Sequence, residues 1–268
     1  MINTKFLFLL TEHGRYSELK YASCVARRIA EQIKAMGHEV IMIERPSPQD
    51  ANDAVKRYKP DVIWWVGHGN PTTTTLENVR VWIKAPDYNT DILSDTIACA
   101  LSCLTGRYLG KYVVESKGCM AYLGYTEEFW FPWCNDPKYF NCACSGENPY
   151  GVREELWEKI VECAHEANLY FVLGLAKGMN VEQATKYSLR RFDYWISYFE
   201  SVRPKDDEER SVIKTVIWIL KSNKDATVLY EKKPAPVRAP ELKMAVGIPM
   251  ALVALGSLVS YLGARGGD

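Results

Sequence analysis

Residues 61–70 read DVIWWVGHGN and residues 95–106 read DTIACALSCLTG. Each begins with a short run rich in β-branched or aromatic residues, 62–66 and 96–101, and each run stops at a turn that contains glycine. Short runs that are apolar on both faces form strands of a parallel sheet covered by helices on both sides, because neither face of such a strand tolerates water. Ligands of such sheets bind beyond the carboxyl ends of the strands. The pattern therefore predicts that His68 and Cys103 emerge on one rim, as a nucleophile and its proton-transfer partner.

Working outward, strand and helix patterns alternate. Residues 5–11 read as a strand, 17–36 as a helix with Leu19, Ala22, Val25, Ile29 and Ile33 on one stripe and Gly37 as its stop, and 39–43 as a second strand. A short helix at 48–58 ends at Pro60. Residues 78–84 alternate like an edge strand or hairpin arm, a short helix spans 108–116, and a strand spans 119–124. Long helices follow at 152–173 and 181–202, then a charged, solvated turn at 203–210, a helix at 211–221 and a last strand at 226–230. Repeated βα alternation predicts an α/β domain with a mostly parallel sheet. The aromatic, cysteine-rich stretch 125–150 breaks the rhythm, and an insertion of that length is usually functional or has its own structure.

Composition narrows the function. Among 268 residues, 47% are hydrophobic and 25% charged, which is ordinary for a folded domain, and 33 basic residues balance 33 acidic ones, so no net field draws nucleic acid. Eight scattered cysteines lack the spacing of a disulfide framework and fit a reducing compartment. The apolar run at 6–10 is too short for a signal-peptide core and reads as the first strand. No glycine-rich phosphate cradle is present, so nucleotide hydrolysis has no support and no cofactor is expected. Cys134, Cys142 and Cys144, with His165, lack the paired C-x2-C spacing of a zinc site, so no metal is expected.

Three prolines alternate with small residues over 232–242, an extended linker, and 244–263 is a run of 20 residues without charge. A helix of that length covers about 30 Å, the hydrocarbon thickness of a bilayer. The expected organisation is a catalytic domain at 1–231, a Pro-rich linker at 232–243 and a single-pass membrane anchor at 244–263. Lys232, Lys233, Arg238 and Lys243 precede the run and only Arg265 follows, which places the body in the cytoplasm.

The ordered pair His68-Gly69 and Ser102-Cys103-Leu104-Thr105-Gly106, each after a strand, resembles the caspase-like clan of cysteine peptidases, in particular its gingipain-type branch. Residues 118–126 (GCMAYLGYT) look like the strand that follows the nucleophile there, and 173–184 (LGLAKGMNVEQA) is similar to a downstream helix junction. The resemblance implies a three-layer sandwich and a peptide or protein substrate. It gives Cys103 as nucleophile, His68 as general acid and base, and the backbone N–H groups of Gly69 and Cys103 as oxyanion donors. Glycine at 69 is expected to open the main chain to substrate. Glu12, His13 and Arg15 are candidate pocket walls by the same resemblance. Asp95 or Glu127 would favour a basic substrate side chain, and Arg15, Arg80 or Arg107 an acidic one. The alternative is a non-catalytic caspase-like scaffold at a membrane, using Trp130, Trp133 and the surrounding insertion as a contact surface.

Overall fold

In the computed structural model, which describes residues 3–12, 17–131 and 151–233, the chain alternates strand and helix. The order is β1 (Lys5–Leu10), α1 (Ser17–Ala35), β2 (Glu39–Glu44), α2 (Pro48–Tyr58), β3 (Val62–Val66), β4 (Gly69–Asn70), β5 (Thr73–Thr75) and β6 (Val81–Lys84). Next come β7 (Ile97–Leu101), α3 (Leu109–Ser116), β8 (Ala121–Tyr125), α4 (Glu154–Ala176), α5 (Val181–Ser201), α6 (Asp207–Ala226) and β9 (Thr227–Glu231). Six strands form one sheet in the order β2-β1-β3-β7-β8-β9, parallel except for β9, which runs antiparallel to β8. The short β4, β5 and β6 make a separate antiparallel sheet.

Alternation along the strands divides their side chains between two cores. Phe6, Phe8, Val62, Trp64, Val66, Cys99 and Leu101 face α1, α4, α5 and α6, whereas Leu7, Leu9, Ile63, Trp65, Ala98 and Ala100 face α2 and α3. Helices thus cover both faces of an α/β fold, which is why the strands read as unbroken apolar runs. Buried main chain must find partners, and side-chain polar groups in such a core must too. Asn168 of α4 does this for three strands, accepting from Trp64 Nε1 at 2.9 Å and donating to the Tyr125 hydroxyl at 2.7 Å, with the Cys99 thiol 3.9 Å away. Asn168→Leu would leave the buried Trp64 Nε1 without its acceptor and remove one partner of the Tyr125 hydroxyl, so a loss of roughly 1–3 kcal/mol is expected in denaturant unfolding, with the same slope against denaturant.

Two expectations change. The stretch 203–210 is not a solvated turn throughout. Asp206 caps α6 by accepting the Glu209 N–H at 2.7 Å, and the acidic residues behind it occupy the favourable N-terminal turn. Glu209 itself is fully buried and accepts from Lys205 N–H at 2.7 Å and from Arg153 Nε and N–H at 3.1 Å. Residues 78–84 divide into a 3-10 turn, Glu77–Val79, and the strand β6.

Met1–Lys232 is one compact unit. Among the described residues no helix is long and apolar enough to cross a membrane. The expected anchor, 244–263, lies outside the described residues, as do Trp133, Cys134, Cys142 and Cys144.

Candidate active site

The parallel pairing of β3 with β7 continues one residue past the strand, where Gly67 N–H donates to the Leu101 carbonyl at 3.2 Å. A side chain at Gly67 would overlap the Thr75 carbonyl, so the turn needs glycine there. Thr75 then holds the main chain of His68 from both sides. Its Oγ1 accepts from His68 N–H at 3.1 Å, and its own N–H donates to the His68 carbonyl at 2.9 Å. The run of threonines at 73–75, apolar at its methyls and polar at its hydroxyls, is what lets this hairpin sit buried at the sheet end.

On the neighbouring strand the turn 102–106 is fixed on three sides. Trp65 Nε1 donates to Thr74 Oγ1 at 2.9 Å, and the Thr74 and Ser102 hydroxyls share a hydrogen bond at 3.1 Å. Thr105 Oγ1 donates to the Ser102 carbonyl at 3.0 Å. Leu104 N–H and Gly106 N–H reach the carbonyls of Glu127 and Tyr125 at 3.1 and 2.8 Å. Leu104 has φ of 62°, a left-handed conformation that costs a non-glycine residue of order 1–3 kcal/mol and persists where surrounding bonds over-determine it. Ser102, Thr105 and Gly106 therefore build the turn, and Cys103 is the residue it presents.

Gly69 lies against this turn. A Cβ on it would stand 2.5 Å from the Cys103 carbonyl oxygen and 2.8 Å from Thr105 Cγ2. Glycine at 69 is thus required by contact with the cysteine turn, a different reason from the opening toward substrate read from sequence.

His68 and Cys103 line one cavity of about 190 Å³ at the carboxyl ends of β3 and β7. Leu19 and Ala22 of α1, Phe129, Phe131 and His165 of α4 line it too. The Cys103 sulfur is half-buried and accepts from Phe129 N–H at 3.4 Å. Burial pushes the Cys103 thiol above its ordinary value; the Phe129 N–H pulls it back, and the Glu128 carboxylate pushes it further up. At rest the group is a neutral thiol, so attack requires a base to take its proton as the new bond forms. His68 lines the same cavity. Glu128→Gln removes one upward push without touching the turn, so alkylation of Cys103 by iodoacetamide at neutral pH is expected to speed up by about two- to threefold, measured by mass spectrometry.

His165 was read from sequence only beside a discarded zinc grouping. It is 1% exposed, and neither ring nitrogen has a hydrogen-bond partner among the described residues. Burial lowers its pKa from 6.5 to about 3, so it is a neutral imidazole. The available signal was helical spacing, since residues 157, 160, 164, 168 and 172 form the buried stripe of α4 and 165 lies beside it.

None of the expected pocket walls that lie among the described residues lines this cavity. Glu12 pairs with Arg27, next to Glu44. Asp95 precedes β7, at the end of the strand opposite Cys103, so a parallel sheet separates the two by the strand's length. Glu127 pairs with Arg107 at 2.6 Å on the surface, and Arg80 is exposed beside the 3-10 turn. His13 and Arg15 lie outside the described residues. Glu128 and Phe129, unremarked in the sequence, line the cavity instead.

Among the described residues Cys99, Cys103, Cys119 and Cys163 are free thiols. Among the described residues no group of His, Cys, Asp and Glu is arranged to hold a metal ion. No protein-family model matches this chain, and a search of curated proteins finds no match.

Proposed function

We propose that the chain is a cysteine endopeptidase of caspase-like fold. One observation carries this reading: a thiol and an imidazole from neighbouring parallel strands line the same cavity at the sheet's carboxyl edge. The Cys103 sulfur attacks the scissile carbonyl carbon as His68 takes the thiol proton. Collapse of the tetrahedral adduct expels the amine, which receives that proton from His68, and leaves a thioester on Cys103. Water, activated by the now neutral ring, then hydrolyses the thioester and restores the thiol. The main-chain N–H groups of Gly69 and Cys103 are the proposed donors to the oxyanion, each worth about 3 kcal/mol in the barrier.

The test is a panel of labelled peptides varied at the residue before the cleaved bond, run beside iodoacetamide labelling of Cys103. Hydrolysis of any member, lost in step with labelling, supports the reading. Labelling without hydrolysis across the panel overturns it.

A scaffold is the second reading, favoured by the raised thiol pKa and by an exposed aromatic pair, Trp130 and Trp218, whose rings are 5.8 Å apart and 41% and 54% exposed. Under it, Trp218→Ala weakens capture of a protein partner while Cys103→Ala does not.

Residues 244–263 are proposed as a membrane anchor on their length and lack of charge. The basic residues ahead of them favour a body on the cytoplasmic side over one on the far side. Protease protection in sealed vesicles decides between the two.

A further inference from the structure

His165 takes no part in the proposed hydrolysis, yet it faces the cavity in which that hydrolysis would occur. Its ring centroid lies 5.0 Å from that of Phe131 and 5.9 Å from that of Phe129, so the floor around it is apolar. Among the described residues neither of its nitrogens is satisfied. A buried polar group left in that state costs free energy that a leucine or phenylalanine at the same place on α4 would not, unless something entering the cavity completes the bond.

We infer that His165 is the hydrogen-bonding group of a pocket for the substrate side chain beside the cleaved bond, and that this pocket takes an uncharged amide side chain, glutamine or asparagine. The inference rests on the peptidase reading for what is cut, though not for what is bound. A neutral imidazole offers one N–H and one lone pair, and the choice of tautomer lets the nitrogen that faces the cavity either donate to an amide carbonyl or accept from its NH₂. Phe129 and Phe131 pack against the methylene stem of such a side chain. A carboxylate there would lose its hydration between two aromatic rings with a neutral partner, which is strongly unfavourable. A cationic side chain meets the same walls, and its nearest counter-charge, Glu128, is exposed. The other titratable groups facing His165 across the cavity are His68 from the end of β3 and Cys103 from the end of β7, while α1 contributes Leu19 and Ala22.

Occupancy can be read without turnover. Iodoacetamide alkylation of Cys103 in the full chain is followed by mass spectrometry with N-acetyl amino-acid methylamides of glutamine, leucine, glutamate and lysine as competitors. The glutamine compound is expected to protect at concentrations about tenfold or more below the leucine and glutamate compounds, since a site built around a buried polar group rejects ligands that leave it unpaired. In His165→Phe, checked for folding by thermal melting, the glutamine-to-leucine ratio is expected to fall toward one. Should that variant fail to fold, the wild-type series alone decides. Equal protection by leucine and glutamine, protection by none of the compounds, or a lysine preference that Glu128→Gln abolishes would each overturn the inference. Hydrolysis of peptides carrying the same residues separates the two claims. Glutamine protection with no cleavage anywhere sinks the peptidase reading and leaves the pocket standing, whereas cleavage after lysine alone does the reverse.

Discussion

Cys103→Ala is expected to remove all peptide hydrolysis and all active-site labelling while leaving the fold in place. Alanine deletes one half-buried sulfur from a turn that is held by Ser102, Thr105 and the main chain of Leu104 and Gly106, none of whose bonds pass through the cysteine side chain. The stability cost is about 1 kcal/mol, within what a domain of ordinary stability withstands. Labelling at position 103 should disappear, and among the described residues the other free thiols, Cys99, Cys119 and Cys163, are buried and burial pushes them up, that of Cys119 to about 12. His68→Ala should lower kcat by roughly 10³–10⁴, and the double variant should be no worse than Cys103→Ala, because residues acting in one step do not contribute additively. The measurement is single-turnover hydrolysis on each variant beside its thermal melt. Undiminished labelling of Cys103→Ala would show that the nucleophile lies elsewhere.

Acid should unfold the wild-type protein far more readily than His165→Phe. In the folded chain the pKa of His165 is lowered from 6.5 to about 3 by burial alone. Above about 6.5 the ring is neutral in both folded and unfolded states, and its titration contributes nothing to the pH dependence. As the pH falls below that value the unfolded chain gains a proton that the folded chain refuses. Stability is then lost by about 1.4 kcal/mol per pH unit until the folded ring itself titrates near pH 3. Across the whole window the loss sums to roughly 5 kcal/mol, comparable to the total stability of many domains. Phenylalanine fills a similar volume among Phe129 and Phe131 and cannot take a proton, so this component of the slope should vanish. Denaturant unfolding of both proteins at a series of pH values from 7 to 4 measures the difference. Parallel curves would mean that the folded chain protonates His165 as readily as the unfolded chain does.

Some elements could be read from the chain to the residue. Helix α2 begins and ends as expected because its signals are local: Ser47 and Asp50 close a capping box, Pro48 opens the first turn, and Lys59 before Pro60 stops it in a left-handed conformation. Strand β3 is equally plain, five apolar residues bounded by Asp61 and Gly67. Helix α6 was foreshortened, since four charged residues ahead of Ser211 look solvated until Asp206 is seen capping them and Glu209 is seen paired with Arg153. Of the small sheet only the arm β6 is legible, in the alternation over 78–84; β4 and β5, two and three residues long, carry no periodicity.

At the site, the sequence by itself determined that two buried parallel strands end in a histidine and a cysteine, because hydrophobic alternation and glycine stops are properties of neighbouring residues. It could not determine what else lines the cavity between them. His165 is 62 positions beyond Cys103 and Phe129 is 26, and they come together only when α4 packs across the strands and the segment after β8 folds back. Nor could it give Gly69 its reason, a contact with the main chain of Cys103, or show that burial lowers the pKa of a histidine. Desolvation and close packing depend on everything within a few ångströms regardless of its place in the chain, and only the tertiary structure sets those neighbours.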